Sequence, residues 1–548
     1  MDSLTSSQTL GPSDMLLASE KRLNKVPSKM AGTSRDREDM LRIGREQELN
    51  RNFRFLSVLG FTAVLMCTWE AVLFGSSYGL TDGGLGGMIY TYIGGIIGFT
   101  AVLLSMAEMA SMQVWKYPVY IVVSRVLTFL SRAPTSGGQY HWVSEFAPPG
   151  CQKFLSYITG WVCVLGWHTG IAGCSYTVSN MLIGLLSINY PETYVPQPWH
   201  GTVFVIANAC TAFFFNTFLA QKLPVIEGVI LIIHVFGFFA VLIPLWVLAP
   251  IQSPSRVFLS IEDRGGWGNA GLSCLVGLVA PVYALIGPDS AVHMAEEIRD
   301  ASWTLPLGMV WTLVLNGLTG LAMIITYAFC ISDIDQVLAS STGFPFIQVF
   351  LNATGSVKAT TGMTALMMVL QFCATISNVA TGSRQLYAFA RDDGLPYSKF
   401  LSHVNRRFMI PLNALCVGLV IVCLLSLINI GSSVAFNAIM SLGTVSLLSS
   451  YIISTLCLRL KRWRGEPVPP ARWSLGPRWS PIVETVALMF LALVWGLCFF
   501  PVTRDVTPGT MNWSVAIFGG VVLLALVYYF WFARHVYTGP VSRVRALV

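Results

Sequence analysis

Charge is scarce in this 548-residue chain. Asp, Glu, Lys and Arg make up 11% of it, against 54% hydrophobic residues. A soluble domain carries about a quarter charged residues, so a water-soluble multidomain protein is excluded, and so is a disordered chain. Cysteine pairs at C-x-x-C spacing are missing too. The twelve cysteines, among them Cys67, Cys163, Cys274, Cys373 and Cys498, lie nearly all inside apolar runs. They read as small packing residues and not as a disulfide framework or zinc ligands. No H-E-x-x-H stretch marks a zinc enzyme, and no cofactor or metal is expected. The first 53 residues contain no apolar core of a signal peptide, so the first membrane helix is expected to serve as its own insertion signal. The formal charge of +7 points to membrane topology and not to a nucleic-acid partner.

What is present is a series of apolar runs of about 20 residues, the length that crosses a bilayer as a helix. Twelve are expected, at 54–80, 84–111, 152–186, 201–221, 224–249, 270–297, 306–331, 359–391, 411–430, 433–459, 481–501 and 513–536. The short alternating strands of a membrane barrel are missing, so the fold class is an all-α integral membrane protein. An even count puts both termini on one side. With that side cytoplasmic, its segments hold 30 of the 34 Lys and Arg, and only Arg256, Arg264, Lys358 and Arg504 fall outside. Such an asymmetry sets orientation. Two N-x-S/T sequons, at Asn352 and Asn512, fall in loops assigned to the outside and are candidate glycosylation sites.

Two runs carry interruptions. The sixth reads Tyr283-Ala-Leu-Ile-Gly287-Pro288-Asp289-Ser290, where Gly and Pro stop the helical ladder just before an acid. The first holds Thr68-Trp69-Glu70 and then Gly75-Ser76-Ser77. Broken helices expose backbone groups near the bilayer midplane, where carriers bind substrate. The interruptions lie about 215 residues apart, an offset that suits an inverted repeat of five plus five helices with two appended. Thr68, Trp69, Glu70, Tyr283, Gly287, Asp289 and Ser290 are therefore the expected substrate-binding set. Ionisable groups at membrane depth are costly and point to function. Asp289, Glu227 and His234 are the candidates for proton coupling. Glu227 and His234, seven residues apart, share a helix face, as a relay, as a satisfied polar pair, or with Glu227 snorkelling near the inner end. Glu108 reads as an interfacial contact, and Glu296 and Glu297 as an ion-paired cap on an inner gate with Arg299. Trp69, Trp167 and Tyr283 could close over a substrate or hold a cation; packing is the alternative for each.

The stretches Ala107-Glu-Met-Ala-Ser-Met112, Ala133-Pro-Thr-Ser-Gly-Gly-Gln-Tyr-His-Trp142 and Ser383-Arg-Gln-Leu-Tyr-Ala-Phe-Ala-Arg-Asp392 resemble the fungal amino acid/choline permease branch of the amino acid–polyamine–organocation superfamily. The likeness spans about 54–537. It implies a leucine-transporter-like fold and secondary active transport, with protons, of amino acids or amines such as choline or GABA. It implies that Asp289 and Tyr283 take the places of the family's sixth-helix acid and gating aromatic. It further implies that Thr375, Ser377 and Thr381 of the eighth helix face the first, where relatives place a cation. The first helix departs from the pattern: the Gly-Ser/Thr-Gly carboxylate cradle of many relatives is replaced around Thr68, Trp69 and Glu70, which leaves room for choline-like or basic substrates.

A cytoplasmic insertion, 112–133, also interrupts the pattern. Its Gln113–Arg132 segment is either a retained intron, 60 nucleotides in frame, or an amphipathic helix on the inner leaflet. Residues 1–53 and 538–548 are expected as cytoplasmic tails. The first is expected to be disordered, with Lys21, Lys25 and Lys29 open to ubiquitination machinery. The transporter domain proper is 54–537. The partners expected are the lipid bilayer, of the plasma or vacuolar membrane, and a small-molecule substrate with its proton. The alternatives are a transporter-like nutrient sensor and a pathway-specific carrier of an amino-acid-derived metabolite.

Overall fold

The computed structural model describes residues 32–42, 47–112, 135–431 and 435–540. Gln113–Arg132, Lys21, Lys25 and Lys29 lie outside them. Among the described residues, twelve helices are long and apolar enough to cross a membrane, one for each run expected from the sequence: α1 Phe55–Thr81, α2 Gly84–Ser111, α3 Gln152–Asn189, α4 Pro198–Phe218, α5 Ala220–Leu248, α6 Ala270–His293, α7 Ala301–Cys330, α8 Val357–Arg391, α9 Leu412–Ile430, α10 Ala438–Trp463, α11 Gly476–Leu497 and α12 Ser514–Val536. Helices satisfy their own backbone polar groups, so apolar runs of this length settle into them once water is withdrawn. The chain is a multi-pass, all-α membrane protein.

The long helix α3 is the axis of the bundle and packs along α8, α10 and α4. Small residues permit the close approach. A Cβ on Gly160 would lie 2.2 Å from the Phe389 ring, and one on Gly166 would lie 2.8 Å from Leu447. At the periphery, only 11% of the apolar window of α12 is buried, which leaves that helix to the lipid. The two faces of the bundle are called here the tail face, which carries the amino-terminal segment, and the far face. On the far face, β1 Asp82–Gly83 pairs antiparallel with β2 Glu262–Asp263, with Asp82 opposite Asp263.

Both expected interruptions are present. α1 consists of Phe55–Met66, Thr68–Phe74 and Ser76–Thr81. Its first break is at Cys67, in the left-handed conformation (φ 43°, ψ 43°). α6 runs through Val279–Leu285, breaks at Ile286–Pro288, where Gly287 has φ 116°, and resumes only as the short turn Ser290–His293. The broken helices are the first of two successive sets of five, the arrangement an inverted repeat requires.

One expectation fails here. The described part of the amino-terminal tail is not solvated: Ser34–Arg42 is helical, and Asp36 and Arg51 are buried, because both side chains bond backbone at the tail-face ends of α6 and α7. Asn352 lies between spans α7 and α8, on the helix Pro345–Thr354, where its amide nitrogen donates to Gln336 and its oxygen accepts from Gln348. Asn512 does lie in a turn, yet its amide nitrogen donates to the carbonyls of Cys498 and Phe500.

Candidate functional site

The two breaks face each other at the centre of the bundle. A helix that stops leaves its last carbonyls without partners. The Ala284 carbonyl, at the end of the first part of α6, accepts from Thr68 Oγ1 at 2.7 Å, so the residue that restarts α1 caps α6. A Cβ on Gly287 would lie 2.6 Å from Leu65 Cδ2. Glycine is required there twice over, by its positive φ and by the closeness of α1. Ser290 is buried, with its amide bonded to the Gly287 carbonyl and its hydroxyl without a partner.

Asp289 is fully buried. One carboxylate oxygen accepts from Gln139 Nε2 and the other from Tyr451 Oη, each at 2.5 Å. The acid thus ties α6 to the helix Gln139–Phe146 and to α10. Neither partner was anticipated. Gln139 sits within the Gly-Gly-Gln-Tyr-His-Trp stretch, and Tyr451 among the serines of α10, a polar stripe that could have signalled it. His293, at the end of α6, accepts from Trp167 Nε1 at 3.1 Å on Nε2. Indole nitrogen only donates, so the ring hydrogen is on Nδ1, which reaches the Ser136 carbonyl at 3.0 Å. Trp167 is therefore engaged with α6 and does not face an open site.

Tyr283 is half-buried and lines a narrow recess with Tyr78, Val279, Ala280, Met440, Ser441 and Thr444. This recess lies toward the far face from the breaks, between α1, α6 and α10. Trp69 points away from it. Its ring packs on Phe238 and His234 of α5, at centroid distances of 6.0 and 5.9 Å.

Two further polar pairs tie α5 to its neighbours, one to α1 and one to α8. His234 Nδ1 shares a hydrogen bond of 2.9 Å with Glu70 Oε1. Glu227 Oε1 accepts from Ser377 Oγ at 2.8 Å. The expected Glu227–His234 pair is not formed: the shared face of α5 turns His234 to α1 and Glu227 to α8. Glu70 Oε2, Glu227 Oε2 and His234 Nε2 are buried without partners. Of the eighth-helix residues, Ser377 is the one that bonds Glu227. Thr381 Oγ1 donates to the Ser377 carbonyl. Thr375 instead faces α4, accepting from Asn208.

The acids at the tail-face end of α6 are ion-paired, but not with Arg299. Glu296 pairs with Arg391 and Glu297 with Arg384, both on α8, while Arg299 Nε donates to the Arg51 carbonyl. The Ser383–Asp392 stretch supplies both arginines. Glu108 meets Arg462, Ser474 and Ser480, away from the breaks. On the far face, buried Asp82 accepts from Trp267 Nε1 at 3.1 Å and Ser273 Oγ at 3.2 Å on one oxygen. Burial pushes its carboxyl up to about 7; the Asp263 charge adds to the rise, and the two bonds oppose it.

The sequence matches the family described as Amino acid permease over residues 115–523. A chain of Macrophomina phaseolina that carries the name amino acid/polyamine transporter is 30% identical over 462 residues, 84% of this chain and 97% of that one. The GABA-specific permease of Saccharomyces cerevisiae is 28% identical over 93% of this chain and 86% of its own. The choline transporter of the same yeast is 27% identical over 88% and 82%. A solved structure of a manganese transporter from Eremococcus coleocola superposes with a TM-score of 0.52 at 11% identity, covering 90% of this chain and 96% of that one. That likeness is one of fold.

Proposed function

The chain belongs to the amino acid permease family, and from that we propose that it is a proton-coupled carrier of an amino acid or a related amine, a transporter and not an enzyme. The observation that carries the reading is the meeting of the two breaks, with Thr68 capping Ala284 and Gly287 against Leu65. Substrate binds between them and enters through the Tyr283 recess, with Tyr283 closing behind it. No carboxylate cradle of the Gly-Ser-Gly kind is present in α1, which favours a substrate held by its ammonium group.

The Glu70–His234 pair and the Glu227–Ser377 pair are the proposed coupling groups. They hold two carboxyls and one imidazole, and no Lys or Arg pairs with either acid among the described residues. A buried carboxylate without a compensating charge is costly, which supports proton uptake at these groups. Asp289, with both oxygens occupied, links α6 to α10 and is proposed to follow the substrate's arrival. The Lys and Arg asymmetry supports a cytosolic tail face, and the plasma membrane is the proposed location.

The test is flux into vesicles holding the purified protein, with labelled choline, GABA, and basic and neutral amino acids, with and without an imposed pH gradient. Accumulation of at least one substrate, raised by outside acid, is expected. Absence of flux for every one of them would reject the reading.

A further inference from the structure

Helix α7 begins without a cap of its own. Asp300 occupies the cap position in the left-handed conformation, with no bond from its side chain to the first turn. That side chain turns instead to Arg472 at 2.5 Å. The missing acceptor comes from the amino-terminal segment. Asp36 Oδ2 accepts from the Asp300 amide at 3.0 Å, and Asp36 Oδ1 from the Ala301 amide at 3.4 Å. The same carboxylate takes the Thr33 amide and hydroxyl, each at 2.8 Å, and pairs with Arg51 at 3.3 Å. A single side chain thus holds the start of two helices, its own and α7, and a buried arginine.

Arg51 extends the contact. Its guanidinium donates to the carbonyls of Ala295 and Ile298 at 3.2 and 2.6 Å. Phe53 forms a backbone bridge with Ile298, Gln47 donates to the Glu296 carbonyl, and Tyr387 of α8 bonds Glu48. Every one of these contacts falls on the tail-face end of α6, the start of α7 or the end of α8. These are the elements that must part for a substrate held at the breaks to leave by the tail face.

We propose that residues 32–42 and 47–53 strap the tail-face exit, fastened by Asp36 to α7 and by Arg51 to the turn between α6 and α7, and that their release admits the tail-open state. The strap acts through charge-assisted bonds to backbone, which are strong but local. It can therefore be undone without unfolding a spanning helix. The proposal rests on the carrier reading for what passes through the exit, but not for the motion itself.

Cys163 provides a native reporter. It is buried, lies 4.0 Å from Gln139 Oε1 beside Asp289, and sits toward the tail face from the breaks. Full-length protein in sealed vesicles with the tail face outward is treated with a membrane-impermeant maleimide. The same experiment with Cys163→Ser subtracts the exposed Cys151, Cys210 and Cys416. Asp36→Ala is expected to raise the labelling rate of Cys163 several-fold, with the protein still monodisperse. Thr33→Ala, which removes one donor to Asp36, is expected to raise it about twofold and keeps the test alive if Asp36→Ala fails to fold. Wild-type labelling rates in the folded variants would overturn the strap. Labelling needs no flux, so a chain that carries no tested substrate yet shows Asp36-dependent labelling rejects the carrier reading alone.

Discussion

His234 Nδ1 stands 2.9 Å from Glu70 Oε1, so the acid that follows the α1 break is held by α5. The pair is buried on both sides. Glu70 cannot move with α1 unless His234 lets it go, and a proton arriving at either group changes the strength of that hold. The proposed coupling would act through this contact, with protonation altering the freedom of a helix that borders the proposed substrate site.

Glu70→Gln and His234→Gln are expected to uncouple transport. Removing one partner of a buried pair leaves the other without compensation, and a loss of about tenfold or more in gradient-driven accumulation is expected, equivalent to about 1.4 kcal/mol or more. Exchange of labelled for unlabelled substrate at equal pH should survive better than accumulation. Equal loss in both assays would refute a coupling role.

Asp289 calls for a pair of substitutions. Asp289→Asn is expected to abolish pH-dependent uptake. Tyr451→Phe removes a single donor to the same carboxylate, at a cost of about 1–3 kcal/mol, and should lower uptake about tenfold while leaving its pH profile in place. Wild-type uptake in Asp289→Asn would dismiss the acid's role.

The breaks make opposite demands on their residues. Gly287→Ala is expected to abolish transport, because Gly287 has φ 116° and its Cβ would meet Leu65 at 2.6 Å. Cys67→Gly is expected to keep transport and raise the melting temperature by a few degrees, since glycine takes the left-handed conformation without the roughly 1 kcal/mol that a Cβ costs there. Thermal unfolding in detergent reads both, and a lowered melting temperature for Cys67→Gly would contradict the account of the break.

On the far face, Asp82 should make stability depend on pH. Its carboxyl titrates at about 7 in the fold, against 3.8 ordinarily. An acid raised on folding favours the protonated native state. Its contribution is therefore fully present below about pH 4 and is lost as pH rises through 7. The melting temperature should fall across that interval, and Asp82→Asn should flatten the fall. A slope unchanged by the substitution would show that other groups set it.

Much of the architecture was legible before any coordinates. Twelve apolar runs appear as twelve spans because a hydrocarbon solvent leaves the backbone no alternative to a helix. Gly287-Pro288 had to break α6, since neither residue continues the ladder. The break at Cys67 was less legible, because cysteine has no such local preference; it was visible only through the polar residues that follow.

The acids themselves were legible as candidates because a charge at membrane depth has few structural excuses. Their partners were not. Seven-residue spacing places Glu227 and His234 on one face of α5, but spacing within a helix says nothing about the rotation of its neighbours. α1 took His234 and α8 took Glu227. Gln139 and Tyr451 around Asp289, Arg384 and Arg391 against Glu297 and Glu296, and Asp36 under α7 are all pairs separated by tens to hundreds of residues. Composition and periodicity are local sums, and they determined the solvent, the helices and the list of charged groups. Which of those groups meet is decided by packing, and only the tertiary structure could settle it.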